Sequence, residues 1–300
     1  MKRVYLGNKE LTTIATVTNG GGGGDDTQKW VDYFNGTLTE FTVPEGVTGI
    51  KEYAFYNCSS LTSITIPSSV TIIGSHAFDR CSSLTGLTIP TGVNSIGEYG
   101  LAACNSITSI TIPNSVTIIG NNCFENCSGL ESIDIPDSVT RIGSSCFENC
   151  SGLKSIRIGT GIKSIPMNAF RRCSSLESID IPDSVIRISN SCFENCSGLK
   201  SIRIGTGIKR IPFFAFRNCS GLESIDIPDS VTSIDGSAFM HCSSLSSVTI
   251  QNSTSKLSYE NAFEGISSTA KLYVPSNLLA DYQADSNWTG AFGGGIFAIQ

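Results

Sequence analysis

CSGLESIDIPDSVTRIGSSCFEN, residues Cys127–Asn149, is a unit of 23 residues that the chain repeats almost from end to end. Cysteine returns at 58, 81, 104, 127, 150, 173, 196, 219 and 242 without an insertion. Leu or Ile follows three residues after each Cys, and Ile eight after it, from Ile66 to Ile250. Phe follows twenty after the first eight, through to Phe239, with Leu101 the one substitute. A fixed period of this length marks a solenoid, whose units bury their apolar faces only against their neighbours. Within a unit, Ser132-Ile133-Asp134-Ile135 alternates with period two, which predicts a strand with Ile inward and the polar pair outward. Pro136 and its equivalents end that strand, because proline donates nothing to a ladder. Val139 and Ile142 form a second apolar pair, closed by Gly143. Cys-Phe-x-x-Cys has the spacing of a short helical turn with Phe147 and Cys150 on one face.

Working outward, residues 1–18 read as an N-terminal arm, too short to bury a core and ordered only by a partner or an oligomer. Residues 19–26, with five glycines from Gly20 to Gly24, read as a linker. Residues 27–34 read as an entry cap, with Trp30 and Phe34 one helical turn apart. Residues 35–265 hold about ten repeats, and 266–300 a C-terminal half-repeat and cap. The expected coil is right-handed, mainly parallel β with short helical turns.

The pattern L-x-S-I-x-I-P-x-S-V-x-x-I-G-x-x-A-F-x-x-C, whole at Leu61–Cys81, resembles the BspA-like subclass of leucine-rich repeats. The resemblance covers about residues 35–300. It extends to Val274-Pro275, Leu278, Tyr282 and Trp288, similar to the VP-x-x-L-x-x-Y ending with a later Trp in that family. It implies a leucine-rich-repeat solenoid, and adhesive proteins of a microbial or virion surface with no catalytic apparatus. On the residues alone, Ser276 is placed to N-cap a short helix, and Leu279, Tyr282 and Trp288 to plug the end.

Composition narrows the function. The net charge of −6 and pI near 5.0 argue against a nucleic-acid partner held through phosphates. No run approaches the ~18 apolar residues of a membrane span. The start, MKRVYLGNKELTTIATVTNG, lacks the apolar stretch of a classical signal peptide, which leaves the compartment open. Of the twelve cysteines, nine share one repeat position. The other three, Cys123, Cys146 and Cys192, fall where sister repeats carry Ala77, Ala169, Ala215 and Ala238. Such a slot is small and buried, so reduced buried thiols are expected, although coils at ~4.8 Å spacing bring column cysteines near enough to bridge. Cys-x3-Cys is no zinc pattern, and His76 and His241 lie about seven repeats apart, so no metal, cofactor or catalytic group is expected.

The outward strand positions carry the remaining information. They run Glu131/Asp134, Lys154/Arg157, Glu177/Asp180, Lys200/Arg203 and Glu223/Asp226, a second period of 46 residues. In a parallel ladder each charge would lie beside opposite charges above and below. That serves register and stability, or else a charged binding stripe; mutual neutralisation favours the first. Residues 146–188 and 192–234 are near-identical and point to recent duplication. The repeat pattern breaks at Tyr99, Met167, Phe213 and Phe214, where exposed side chains would make a contact patch, although Pro212 could turn one phenylalanine inward. The expectation is a non-enzymatic interaction protein presenting a polar solenoid surface to a protein or glycan, with a spacer that binds nothing along its length as the alternative.

Overall fold

The computed structural model describes residues 36–299 and the backbone of two short strands, Tyr5–Leu6 and Lys9–Glu10. Those two strands pair antiparallel, and Leu6 pairs antiparallel with Ile50. The rest of the arm, the glycine linker and the cap residues Trp30 and Phe34 lie outside the described residues. From residue 36 onward the chain winds as a parallel β-solenoid with little helix. A coil contributes a first strand, such as Ser132–Asp134, and a second, such as Arg141–Ile142; the coil from Cys81 has only the second, Ser95–Ile96. The first strand buries only its middle residue, because period two puts Ile133 inward and leaves Ser132 and Asp134 outside. Equivalent residues stack in register, as in Ile110, Ile133 and Ile156.

The third side of the coil is the short turn expected over Cys-Phe-x-x-Cys, and it is built from linked β-turns. Glu148 N–H donates to Ser145 C=O (3.1 Å) and Cys150 N–H to Phe147 C=O (3.2 Å), both three residues back. The alternate N–H groups of Ser145, Phe147 and Asn149 donate instead to the next coil. Two residues per coil reach the left-handed region, Ser145 (φ 53°) and Asn149 (φ 63°) in this one. Asn fits there because its side chain tolerates that backbone. Tyr53, His76, Tyr99 and Phe214 occupy the first of the two positions, where a bulky side chain is costly.

Inside, each column holds one residue type or a near substitute. Phe55 and Phe78, then Phe124, Phe147, Phe170, Phe193, Phe216, Phe239 and Phe263, stack nearly parallel at 5.1–5.5 Å, with the file broken at Leu101. All twelve cysteines are free and buried. The nine-member column has a role that composition did not reveal. Cys150 Sγ–H donates to the carbonyl of Phe124 (3.0 Å), 26 residues back, and Cys81, Cys104, Cys127, Cys173, Cys196, Cys219 and Cys242 repeat the contact. Each thiol therefore stitches one coil to the last.

The second ladder is interrupted at two places with one cause. Gly74, Gly97, Gly120, Ser189 and Asp235 each donate N–H to the Ile carbonyl of the preceding coil. Pro166 and Pro212 stand in the same column and have no N–H to give. Strand pairing is lost between Arg141–Ile142 and Ser164–Ile165, and again between Arg187–Ile188 and Arg210–Ile211.

At the far end Lys271–Val274 continues the first ladder, and a last strand, Ile296–Ala298, pairs beyond it. Between them lie α1 (Leu279–Gln283) and α2 (Ser286–Ala291). Tyr282, Trp288 and Phe292 are buried over the end of the phenylalanine file, and Leu279 is half-buried. Ser276 does not cap: it is the first residue of a 3-10 turn with no side-chain cap bond. Asp285 caps α2 by accepting from Asn287 N–H, and Lys256 beside it (2.7 Å) holds its carboxyl below the ordinary range.

Candidate functional site

The alternating charges of the first ladder are largely spent on one another. Lys154 pairs with Glu131 (3.0 Å) and Arg157 with Asp134 (2.8 Å) and Asp137 (2.8 Å). One period later Lys200 pairs with Glu177, and Arg203 with Asp180 and Asp183. Every pair joins a basic coil to the acidic coil before it. Among the described residues none joins it to the coil after, so Glu223 and Asp226 take no basic partner. The continuous ladder expected from the sequence is thus a set of paired coils. Asp137 also accepts Thr160 N–H, and that bond, with Arg157, pulls its carboxyl below the ordinary value. These pairs are exposed, and each is worth only about 0.2–1 kcal/mol. Reversing Lys154→Glu with Arg157→Asp should therefore cost little, and less in high salt. Reversing Glu131 and Asp134 as well should restore stability, whereas reversing Glu177 and Asp180 should not. Equal rescue from both sides in a chemical-denaturation series would contradict the one-sided pairing.

A second charge column lies on the turn side. Arg171 bridges Glu148 (2.8 Å) and Glu194 (3.1 Å), and Arg217 reaches Glu194 at 3.5 Å. These groups are largely buried, with Glu194 only 8% exposed, so they hold the coils rather than offer themselves to a ligand.

The unexplained side chains gather elsewhere. Of eight exposed large hydrophobics, six (Tyr53, Ile72, Ile118, Met167, Phe213 and Phe214) sit on the second strand or the turn directly after it, and Ile186 sits one residue before the second strand. Ile186, 63% exposed, occupies a column where sister coils show Thr140, Lys163 or Thr232. Met167, Ile186 and Phe213 converge with Pro212 in a groove of about 980 Å³ that spans the second interruption of the ladder. Lys163, Arg187 and Lys209 rim it. Arg210 also lines it but is held by Asp235 at 2.6 Å. The Phe213 ring lies against Gly236, where an added Cβ would come within 3.2 Å of it. Phe214 turns the other way, its ring 5.3 Å from the Arg217 guanidinium. Neither phenylalanine packs inward, so the fold Pro212 could have imposed is not adopted.

Tyr99 stands apart from this groove. It closes a three-ring file with His76 (4.7 Å) and Tyr53 (4.6 Å), stacked on the same side of the solenoid five coils nearer the N-terminus. Tyr56 meets His76 edge-on, and Asp79 holds the imidazole Nδ1 at 2.9 Å. Burial raises the Tyr99 hydroxyl, and the carboxylates of Glu125, Glu98, Asp79 and Glu148 raise it further, which marks a locally negative field. The sequence pointed to Tyr99, Met167, Phe213 and Phe214 because they broke the pattern. It hid Ile72, Ile118 and Ile186, since isoleucine beside a core Ile73, Ile119 or Val185 reads as more core.

No curated protein matches the chain. Among solved structures it is similar to a leucine-rich repeat protein from Bacteroides ovatus, at 27% identity and TM-score 0.71, covering 87% of this chain and 69% of that one. A leucine rich repeat protein of T. pallidum is 29% identical over 61% of this chain and 77% of its own, at TM-score 0.48. The model of the BspA type leucine rich repeat region matches in six copies, over residues 32–154, 101–222 and 163–282. With the 23-residue coils and their columns of Leu, Ile, Phe and Cys, this places the chain in the BspA type leucine rich repeat family.

Proposed function

We propose that this is a non-enzymatic interaction protein that meets a protein partner through the face made by its second strands and the turns after them. The observation that carries the reading is the convergence of Met167, Ile186 and Phe213 in one groove with a basic rim, where the exposed Ile72, Ile118 and Phe297 stand elsewhere. Large apolar side chains gathered in one place on a soluble surface mark a contact site. The first-ladder face is the poorer candidate, because all its alternating charges but Glu223 and Asp226 are already paired. The partner segment that fits the groove is extended, with apolar anchors and acidic flanks. Display at a microbial or virion surface belongs to the same proposal and rests on the family resemblance.

The test is selection of a displayed random peptide library on the full chain, beside a glycan array. Peptides with apolar anchors and Asp or Glu should be enriched. Their binding should fall about 10- to 30-fold on Met167→Ser with Phe213→Ser. Selected binders that survive this change, or a surface that selects nothing, would overturn the reading and favour a spacer.

A further inference from the structure

The second-strand face is divided by charge. Across coils 35–126, the second strand, the residue before it and the three after it carry Lys51, Glu52 and Glu98 as the charged residues. Across coils 127–218 the same positions carry Arg141, Lys163, Arg187, Lys209 and Arg210 and no acid, with Arg210 held by Asp235 of the next coil. The first half presents the Tyr53–His76–Tyr99 file; the second presents the groove at Met167, Ile186 and Phe213. The two sites are centred five coils apart, about 24 Å at ~4.8 Å per strand. Between them the face holds Asn121, Asn122 and Ser144, with Ile118 and Arg141 exposed beside them.

We infer that two copies of this chain pair face to face and antiparallel, each laying its tyrosine–histidine file on the basic apolar groove of the other. The inference rests on the second-strand face being an interaction face. Its occupant is a second copy because the complementary chemistry is already present: aromatic rings beside carboxylates on one half, apolar side chains beside Lys163, Arg187 and Lys209 on the other. Cations over tyrosine rings, and apolar contact with Met167 and Phe213, would both form. A two-fold axis across the solenoid, between the coils of Asn121 and Ser144, satisfies both contacts at once and closes the assembly at two chains. Eight coils give a strip about 38 Å long; at ~15 Å width it buries about 1,200 Å² in total, at the low end for a specific interface. The dimer should therefore be concentration-dependent and weakened by salt.

Sedimentation velocity of the full chain from about 1 to 100 μM tests this. The expected result is a monomer–dimer equilibrium with nothing larger. Met167→Ser with Phe213→Ser, or Tyr53→Ser with Tyr99→Ser, should each weaken it about 100-fold, since each change removes two symmetric contacts. An unchanged thermal midpoint would show that these surface variants still fold. Near the axis, Ser144→Cys should cross-link to its own copy under mild oxidation, and Ser75→Cys should not. A monomer at 100 μM, cross-linking through Ser75→Cys instead, or growth into longer chains would overturn the antiparallel dimer. If the chain stays monomeric but peptide selection still depends on Met167 and Phe213, the face serves a foreign partner, and only this inference falls.

Discussion

Raising the pH from 8 to 10 should unfold the protein. Burial pushes ten of the twelve thiols above their ordinary value of 9.0, Cys127 and Cys242 to about 12. The stabilisation tied to these protons is fully present below pH 9. Above it the unfolded chain ionises while the folded chain keeps its protons, so stability falls until the folded values are passed. At pH 10 a thiol that keeps its proton in the fold costs about 1.4 kcal/mol, and several such thiols together take a large part of the stability of an ordinary domain. Burial of the Tyr259 hydroxyl, raised to about 12, acts in the same direction at higher pH. Circular dichroism against pH should show a cooperative loss between about pH 9 and 10. An aqueous thiol reagent should find the cysteines inert at pH 8 and reactive after the transition. Cys123→Ala, Cys146→Ala and Cys192→Ala together should move the midpoint upward, since sister coils already carry alanine in that slot. A chain that keeps its signal to pH 11 would show that the thiols do not resist ionisation in the fold.

The second large effect comes from the ring file. Phe170 is fully buried between Phe147 (5.5 Å) and Phe193 (5.3 Å). Phe170→Ala should cost about 3–5 kcal/mol, part of it the lost stacking on both faces. In a stack of nearest-neighbour coils the lesion should also uncouple the two sides, so that one thermal transition becomes two. Phe213→Ser, on the surface, should move stability by no more than about 0.5 kcal/mol. A single transition with a small loss at Phe170→Ala would mean that the coils do not depend on the file.

The period made the coil legible, because Cys, Leu, Ile and Phe each hold one inward column and an inward column tolerates few side chains. The turn side was less legible. Cys-Phe-x-x-Cys matches a helical spacing, and only the two left-handed residues per coil, Ser145 and Asn149 among them, separate linked β-turns from a helix. The candidate site was half legible. Phe213 and Met167 stood out against Asn190 and Ser144 in their column, whereas Ile186 needed the structure, because facing outward is a property of the pleat and not of the residue. The one-sided ion pairs were hidden for a similar reason. Alternating sequence is symmetric along the stack, but an arginine reaching back to two aspartates is not.

That asymmetry makes two coils, and not one, the natural unit of inheritance. Gain or loss of 46 residues by unequal recombination between the near-identical stretches 146–188 and 192–234 leaves every basic coil its acidic predecessor. Loss of 23 residues would strand a layer of like charge against its own kind. Lineages carrying this gene should therefore differ in length by even numbers of coils, each step changing the reach of the molecule by about 10 Å.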